Sequence, residues 1–446
     1  MTSWPDESRL EDASMRVVML TAGSRGDVQP YVALGKALAA TGHRVRVAAF
    51  PGFERLITDH HLDFAPITNI HAALMARKEW QRWQRSGHNL ARYIYHFFQV
   101  VNAAETAVVH MLDEFWHACQ DADLIISSAS GMGGPEIAAR RRVPHCWALL
   151  QPMTRTHAFP HFLTPAGLRL PPQLNYATYL IAEIVYLRLF RASLHRWRQS
   201  CLSTACPPGP AINATPPGHP SSLTVYGYSP AVVPQAADYG PLTYVAGYWF
   251  LDNGPDWQPS AALRAFLEAG PPPVYIDLTH VPTAPPETLL TMAIEALRLS
   301  GQRGIIQTAG WQERWTELPE GVLGQGFVPH DWLFPRLGAI VHHGGAGTTA
   351  NALRAGVCSV GIPRFFDQPF WSRRLYELGV GPPPIRPRQL TARTLARAIT
   401  RMVTDPAMQV KARQLGRTIA AQDGLQRAVE WLHRHLQLAA PPNPTC

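Results

Sequence analysis

The chain has 446 residues, 46% of them hydrophobic and 16% charged, and a formal net charge of +8. This length exceeds one ordinary core and this hydrophobic share excludes a disordered polymer, so two folded domains are expected. Arg carries the charge, since Lys stands only at 36, 78 and 411, and without an Arg run or RNA-binding signature nucleic acid is excluded, leaving an acidic surface such as anionic lipid as an alternative.

Residues 1–14 are polar and acidic, lack the apolar stretch of a secretory leader, and read as a disordered lead. Residues 15–21 form a β-branched apolar run of the kind a buried parallel strand shows. The loop 22–30 follows, then a helical period through Tyr31, Leu34, Leu38 and Ala39, closed by Gly42, and a second strand at 44–50. In such a β–loop–α–β unit the chemically active edge is the loop after the first strand. Asp27 lies there, at or near the helix start, where a carboxylate either caps the helix or does chemistry. Local pattern does not separate the two.

Asp121 and Asp123 resemble a metal-binding pair but precede a strand, at 123–128, so a solvated turn is expected. The glycines within 129–136 miss the GxGxxG spacing, which discounts NAD or FAD. Residues 143–150 are the next strand. Two segments are rich in aromatic and basic residues. One is 71–118, with Trp80, Trp83, Tyr93, Tyr95, Phe97, Phe98 and Trp116. The other is 155–200, where Tyr176, Leu180, Leu187, Phe190, Leu194 and Trp197 recur at helical spacing beside Arg188, Arg191, His195 and Arg198. Such stripes serve as core, as the wall of an apolar-ligand pocket, or as a surface on lipid headgroups, and these are not exclusive.

Pro and Gly mark 206–220 as an exposed loop, short strands are expected at 225–228 and 243–250, and the crossing to a second domain falls within 228–260. A second alternation follows, with strands at 273–276, 303–307, 321–324, 339–341 and 357–361, a helix at 286–299, and a basic amphipathic helix at 404–438. The repeated βα order predicts an α/β protein of two facing, doubly wound, Rossmann-like sheets with a cleft between them. The expected division is a lead at 1–14, a first domain at 15–235, a second at 236–415, and a helix crossing back, with a tail, at 416–446. The six scattered cysteines predict neither a disulfide framework nor structural zinc, and fit the cytoplasm. No run of 18 apolar residues predicts a membrane span.

Residues 342–349 (HHGGAGTT) carry the most pointed local signal. A strand that ends in glycines and turns into a helix leaves free N–H groups at the positive end of the helix dipole, which suits a phosphate or diphosphate. The glycines let the main chain approach the anion, and Thr348 and Thr349 add hydroxyl donors or cap the helix. Downstream, Asp367 and Gln368 offer a carboxylate and an amide suited to sugar hydroxyls. As spacing alone, a structural turn is an equal reading.

With both halves in view, the chain resembles the GT-B glycosyltransferases of the UDP-glycosyltransferase superfamily, most of all sterol 3β-glucosyltransferases and antibiotic (macrolide, glycopeptide) glycosyltransferases. The resemblance runs over about 15–429. It rests on GSRGDVQP at 23–30, YGYSP at 226–230, VAGYWFLD at 245–252, GFVPHDWLFP at 326–335, the 342–349 loop, RAG at 354–356 and DQPFW at 367–371. It implies an N-terminal acceptor domain and a C-terminal domain for the nucleotide sugar. The base would lie against the main chain near Phe327 and Val328, with Trp311 nearby. The diphosphate would sit on His343, Gly345, Ala346, Gly347 and Thr348, with Ser24, Arg25, Gly26 and His280 also facing the donor. Asp367 and Gln368 would read the sugar, and Asp27 would accept the acceptor hydroxyl's proton. It further implies inversion without a metal or other cofactor, a UDP- or dTDP-hexose donor with glucose expected, and a large apolar acceptor such as a sterol, terpenoid or macrolide. A monomer or weak homodimer is expected, with peripheral contact at the inner face of the membrane as an extension of the cytoplasmic reading. The chain departs from the pattern twice. Asp277-Leu278-Thr279-His280 stands where the family has a Gly-Phe-Gly-Ser type turn, and Phe366 replaces a small residue. These departures keep a second class open, a degenerate homologue that binds an apolar ligand or assists a partner without transferring sugar.

Overall fold

The computed structural model describes residues 14–436, except 71–77, 79, 81–94, 97–98, 101–102, 166–167, 202–214, 253–256, 280, 282–283 and 310–317. Its strands form two sheets. The first contains β1 (Arg16–Leu20), β2 (Arg44–Ala49), β3 (Asp63–Pro66), β4 (Leu124–Ser127), β5 (His145–Leu149), β6 (Leu223–Tyr226) and β7 (Thr243–Val245), in the order β3-β2-β1-β4-β5-β6-β7. The second contains β8 (Val274–Ile276), β9 (Gly304–Gln307), β10 (Val322–Gln325), β11 (Ala339–His342) and β12 (Ser359–Gly361), in the order β10-β9-β8-β11-β12. Every pairing is parallel. Parallel sheets carry helices on both faces, which is why the central strands β1 and β4 are buried almost throughout.

Each sheet reverses its winding once, between β1 and β4 and between β8 and β11. Ligands of open α/β sheets bind outside the carboxyl ends of strands at such points. The loops after β1 and β11 are therefore the ones this topology sets at a ligand crevice, and they are the two singled out by sequence. Ser130, after β4, fastens the first of them. Its hydroxyl donates to Ala22 O at 2.6 Å and accepts from Ala22 N at 3.0 Å.

Several expected boundaries move. The first sheet continues past 235, because β7 pairs with β6. The expected strand at 243–250 stops at Val245, beyond which the chain crosses between domains with Tyr248 and Trp249 buried. The expected helix at 404–438 is two helices, Pro406–Ala420 and Gly424–His435. Pro406 cannot continue a preceding helix, and Asp405 and Asp423 each accept from a backbone N–H three residues on, at 3.0 and 2.8 Å, so each starts a new one. Only the second returns to the first domain, so the crossing-back segment begins at 424 instead of 416. There Ala428, Val429, Trp431 and Leu432 join the core under β1 and the Arg25–Ala40 helix.

The long helix Pro172–Cys201 divides its aromatic stripe. Leu194 and Trp197 are core, with Tyr186 and Phe190 packed on it. Its outer face exposes Leu174, Leu180, Ile181 and Ile184, then Arg188, Arg191, His195 and Arg196. In the other aromatic segment Trp80 is buried and Tyr95 exposed, while Trp83, Tyr93, Phe97 and Phe98 lie outside the described residues. Asp121 and Asp123 pair with Arg46 at 2.6 Å and Arg16 at 3.2 Å. No described helix is long and apolar enough to cross a membrane.

Candidate active site

The Arg25–Ala40 helix starts at Ser24, and Asp27, in its first turn, reaches back to cap it. Asp27 Oδ2 accepts from Ser24 N at 2.8 Å and from Ser24 Oγ at 2.9 Å. The capping reading of Asp27 is therefore realised. Gly23 makes room for that carboxylate, because at its φ of +147° a Cβ would lie 2.4 Å from Asp27 Oδ2. Thr21 Oγ1 donates to Asp27 O at 2.6 Å and ties the turn to the end of β1.

The Ala346–Ala355 helix has Gly345 as N-cap and no side-chain cap. Thr349 is buried inside this helix, so neither threonine caps it. The N–H groups of Ala346, Gly347 and Thr348 precede the first intrahelical bond, from Thr349 N to Gly345 O, and are open to an anion. His342 is buried, and burial holds it neutral, its pKa well below the ordinary value. Its Nδ1 accepts from Gly344 N at 3.1 Å, which fixes the turn. Gly344 takes φ +85°, and a Cβ there would strike Ser372 Oγ. His343, beside it, is only partly buried.

The two helix starts meet. A Cβ built on Gly347 would lie 3.9 Å from Gly26 Cα. The Arg25 guanidinium lies 4.4 Å from the Phe327 ring centroid, over a ring that is otherwise half exposed. Partial burial against Phe327 lowers the Arg25 pKa, although much of its side chain stays open to solvent. The guanidinium also acts on His330, which burial first and Arg25 in addition take down to about 4, against the pull of Asp277. Two helix N-termini and an arginine thus converge on one gap, an arrangement that favours a multiply charged anion.

Asp367 is the N-cap of the Gln368–Glu377 helix, which leans on the first domain along one stripe, Asp367, Trp371 and Arg374. Asp367 Oδ2 accepts from Gln151 Nε2 at 2.9 Å and from Trp371 Nε1 at 3.1 Å. Trp371 lies 6.1 Å from the Tyr228 ring, and the Arg374 guanidinium donates to Val232 O at 2.6 and 3.1 Å. Enclosure of the Asp367 carboxyl, with Asp27 nearby, pushes its pKa up to about 6, against the pull of the Gln151 and Trp371 hydrogen bonds. Gln368 is buried, and its Oε1 accepts from Arg364 N at 2.9 Å, so that oxygen holds its own turn. Phe366 takes φ +52°, a left-handed backbone that costs a bulky residue roughly 1–2 kcal/mol.

Of the expected site residues, the structure brings together Ser24, Arg25, Gly26, Asp27, Phe327, His343, Gly345, Ala346, Gly347, Thr348 and Asp367. Val328 points into the core, leaving only its main chain for a base. His280 and Trp311 lie outside the described residues. Asp277, in the first of the two departures from the family pattern, turns into its own loop, where Oδ1 accepts from Thr279 N at 3.0 Å and from Thr279 Oγ1 at 2.6 Å. Sequence reasoning missed Gln151 and Arg374. Gln151 had a signal, a lone amide at the carboxyl end of an apolar strand.

The first half of the chain matches the model of the glycosyltransferase family 28 N-terminal domain over residues 17–160, and the second matches that of the erythromycin biosynthesis protein CIII-like C-terminal domain over 302–433. Sterol 3-beta-glucosyltransferases are among its relatives. The Aspergillus terreus protein is 35% identical over 440 residues, covering 96% of this chain and 30% of that one, and the Komagataella phaffii protein is 34% identical over 439, covering 95% and 35%. The chain thus spans about a third of the length of these relatives. Among solved structures, the glycosyltransferase of kitacinnamycin superposes with a TM-score of 0.71 at 19% identity, covering 95% of this chain and all of that one. Glycosyltransferase VinC, solved in complex with dTDP, gives 0.65 at 22%, covering 95% and 100%.

Proposed function

The chain belongs to the GT-B glycosyltransferases of the UDP-glycosyltransferase superfamily, and on that premise we propose that it moves a hexose, glucose first, from a UDP- or dTDP-sugar to a hydroxyl of a large apolar acceptor. The observation that carries this reading is the meeting of two helix N-termini across the cleft, one bearing Asp27 and the other the uncapped turn at 345–348. The sterol glucosyltransferases among its relatives favour a sterol-like acceptor and glucose.

In this mechanism the acceptor oxygen attacks the anomeric carbon as the bond to the diphosphate breaks on the opposite side, inverting an α-linked donor to a β-glycoside. Asp27 takes the hydroxyl proton late, once C–O bond formation has acidified it, because a carboxylate is a weak base toward a free alcohol. The departing diphosphate is stabilised by the N–H groups of Ala346, Gly347 and Thr348, by His343, and by Arg25 from the facing domain. No metal or other cofactor is required for this charge balance. Closure of the domains excludes water from the reacting carbon.

We extend the proposal to peripheral membrane contact at an anionic lipid face, without a span. Ile181 and Ile184 are 62% and 58% exposed on the Pro172–Cys201 helix, and exposed arginines follow them on the same outer face. Co-sedimentation with anionic but not neutral vesicles tests this extension. For the donor, millimolar UDP or dTDP should raise the melting temperature; failure of both would leave a binding protein without transfer as the surviving reading.

A further inference from the structure

The amide of Gln151 comes from the first domain, two residues past β5, yet its partner is the carboxylate that the donor reading assigns to the sugar. Both other members of the Asp367, Trp371, Arg374 stripe also rest on first-domain groups, the Tyr228 ring and Val232 O. The helix that presents Asp367 is therefore fastened to the acceptor domain at its start and along its length. Among the described residues, Gln151 is the first-domain group in these contacts that touches the sugar-reading carboxylate itself.

We propose that Gln151 is a positioning residue for the donor sugar: by donating to Asp367 Oδ2 across the cleft, it orients that carboxylate only when the two domains are closed. Sugar recognition is then coupled to closure over the acceptor, and a donor bound to an open enzyme is held mainly by its nucleotide and diphosphate. This rests on the donor reading above. With Oδ2 taken by Gln151 and Trp371, Oδ1 is the oxygen left to accept from a sugar hydroxyl. Asp27 on the facing helix is the charge that opposes ionisation of Asp367, whereas Arg374 and Glu377 on its own helix pair with each other.

The test compares the unaltered chain with Gln151→Met, which keeps the volume and removes the donor, and Gln151→Glu. Three readouts separate the possibilities: UDP affinity, KM for UDP-glucose against kcat, and the pH dependence of kcat/KM. In Gln151→Met, UDP affinity should hold while KM for the sugar nucleotide rises about tenfold. The acid limb of kcat/KM should also move to higher pH, because a hydrogen bond that favoured the ionised carboxylate is gone. Gln151→Glu should be poorer than Met at pH 8 and recover toward it as the pH falls, when a protonated Glu can donate again. A melting-temperature cycle with Asp367→Ala, which needs no activity, should show the two substitutions non-additive. Unchanged KM and pH profile in Gln151→Met, or an additive cycle, would overturn the proposal. If the unaltered chain binds no nucleotide while the cycle is non-additive, the donor reading falls and Gln151 keeps only an interdomain contact, which also overturns the positioning role.

Discussion

Asp27 holds two positions at once, capping its helix through Oδ2 and standing where two domains meet. Asn keeps an oxygen that can accept from Ser24 N, so Asp27→Asn separates cap from base. Nucleotide binding should persist, while turnover falls by roughly 10²–10⁴, the usual contribution of a general base; isothermal titration with UDP beside a turnover assay reads both. Asp367 gives a stability prediction. Its carboxyl ionises near 3.8 in an open chain and near 6 when folded. Below about pH 4 both states hold the proton. Between about 4 and 6 only the folded state does, so stability falls as pH rises through that window, by up to roughly 3 kcal/mol. Asp367→Asn should therefore melt above the unaltered protein at pH 8 and not at pH 4. Phe366 offers a cleaner backbone test. Both Phe366→Ala and Phe366→Gly remove the ring, but only Gly accepts φ +52° without strain, so Gly should be the more stable by about 1 kcal/mol in thermal melts.

Elements were legible where one period dominated. β1, β4, β9 and β11 are apolar runs bounded by turn residues, and the 342–349 turn announced both its strand and its helix. The helix start at Asp405 and Pro406 falls within two residues of its expected place, but the break at Asp423 was harder to see. Basic amphipathic periodicity continues across it, and only the cap geometry and the fit of Gly424 against the crossing chain divide it. That fit is tight: a Cβ at Gly424 would lie 2.5 Å from both Gly247 C and Tyr248 O. Gly424→Ala should loosen the last helix without unfolding either sheet, and limited proteolysis should then clip the C-terminal segment sooner than in the unaltered chain. Gln151 was hidden for a different reason. Its partner is 216 positions away, and no local pattern reports a contact made by two domains closing.

At the scale of the whole molecule, the alternation of strands and helices sufficed for two facing sheets, because parallel βα units impose right-handed crossovers and leave few topologies. The site follows from that topology, since its loops leave strands at the two reversal points. What composition and periodicity could not supply was the relation between the domains, including β7 in the first sheet and the Gln368–Glu377 helix fastened to the first domain. The acceptor's identity likewise depends on side chains gathered from distant segments. The central claim is sugar transfer from a nucleotide donor with Asp27 as base. It is tested most directly by mass spectrometry of purified protein given UDP-glucose or dTDP-glucose and a panel of sterols, terpenoids and macrolides, with Asp27→Asn in parallel. A hexosylated acceptor of β configuration, formed by the unaltered chain and lost in Asp27→Asn, is the expected result. No hexosylated product with any donor, or product undiminished in Asp27→Asn, would contradict it.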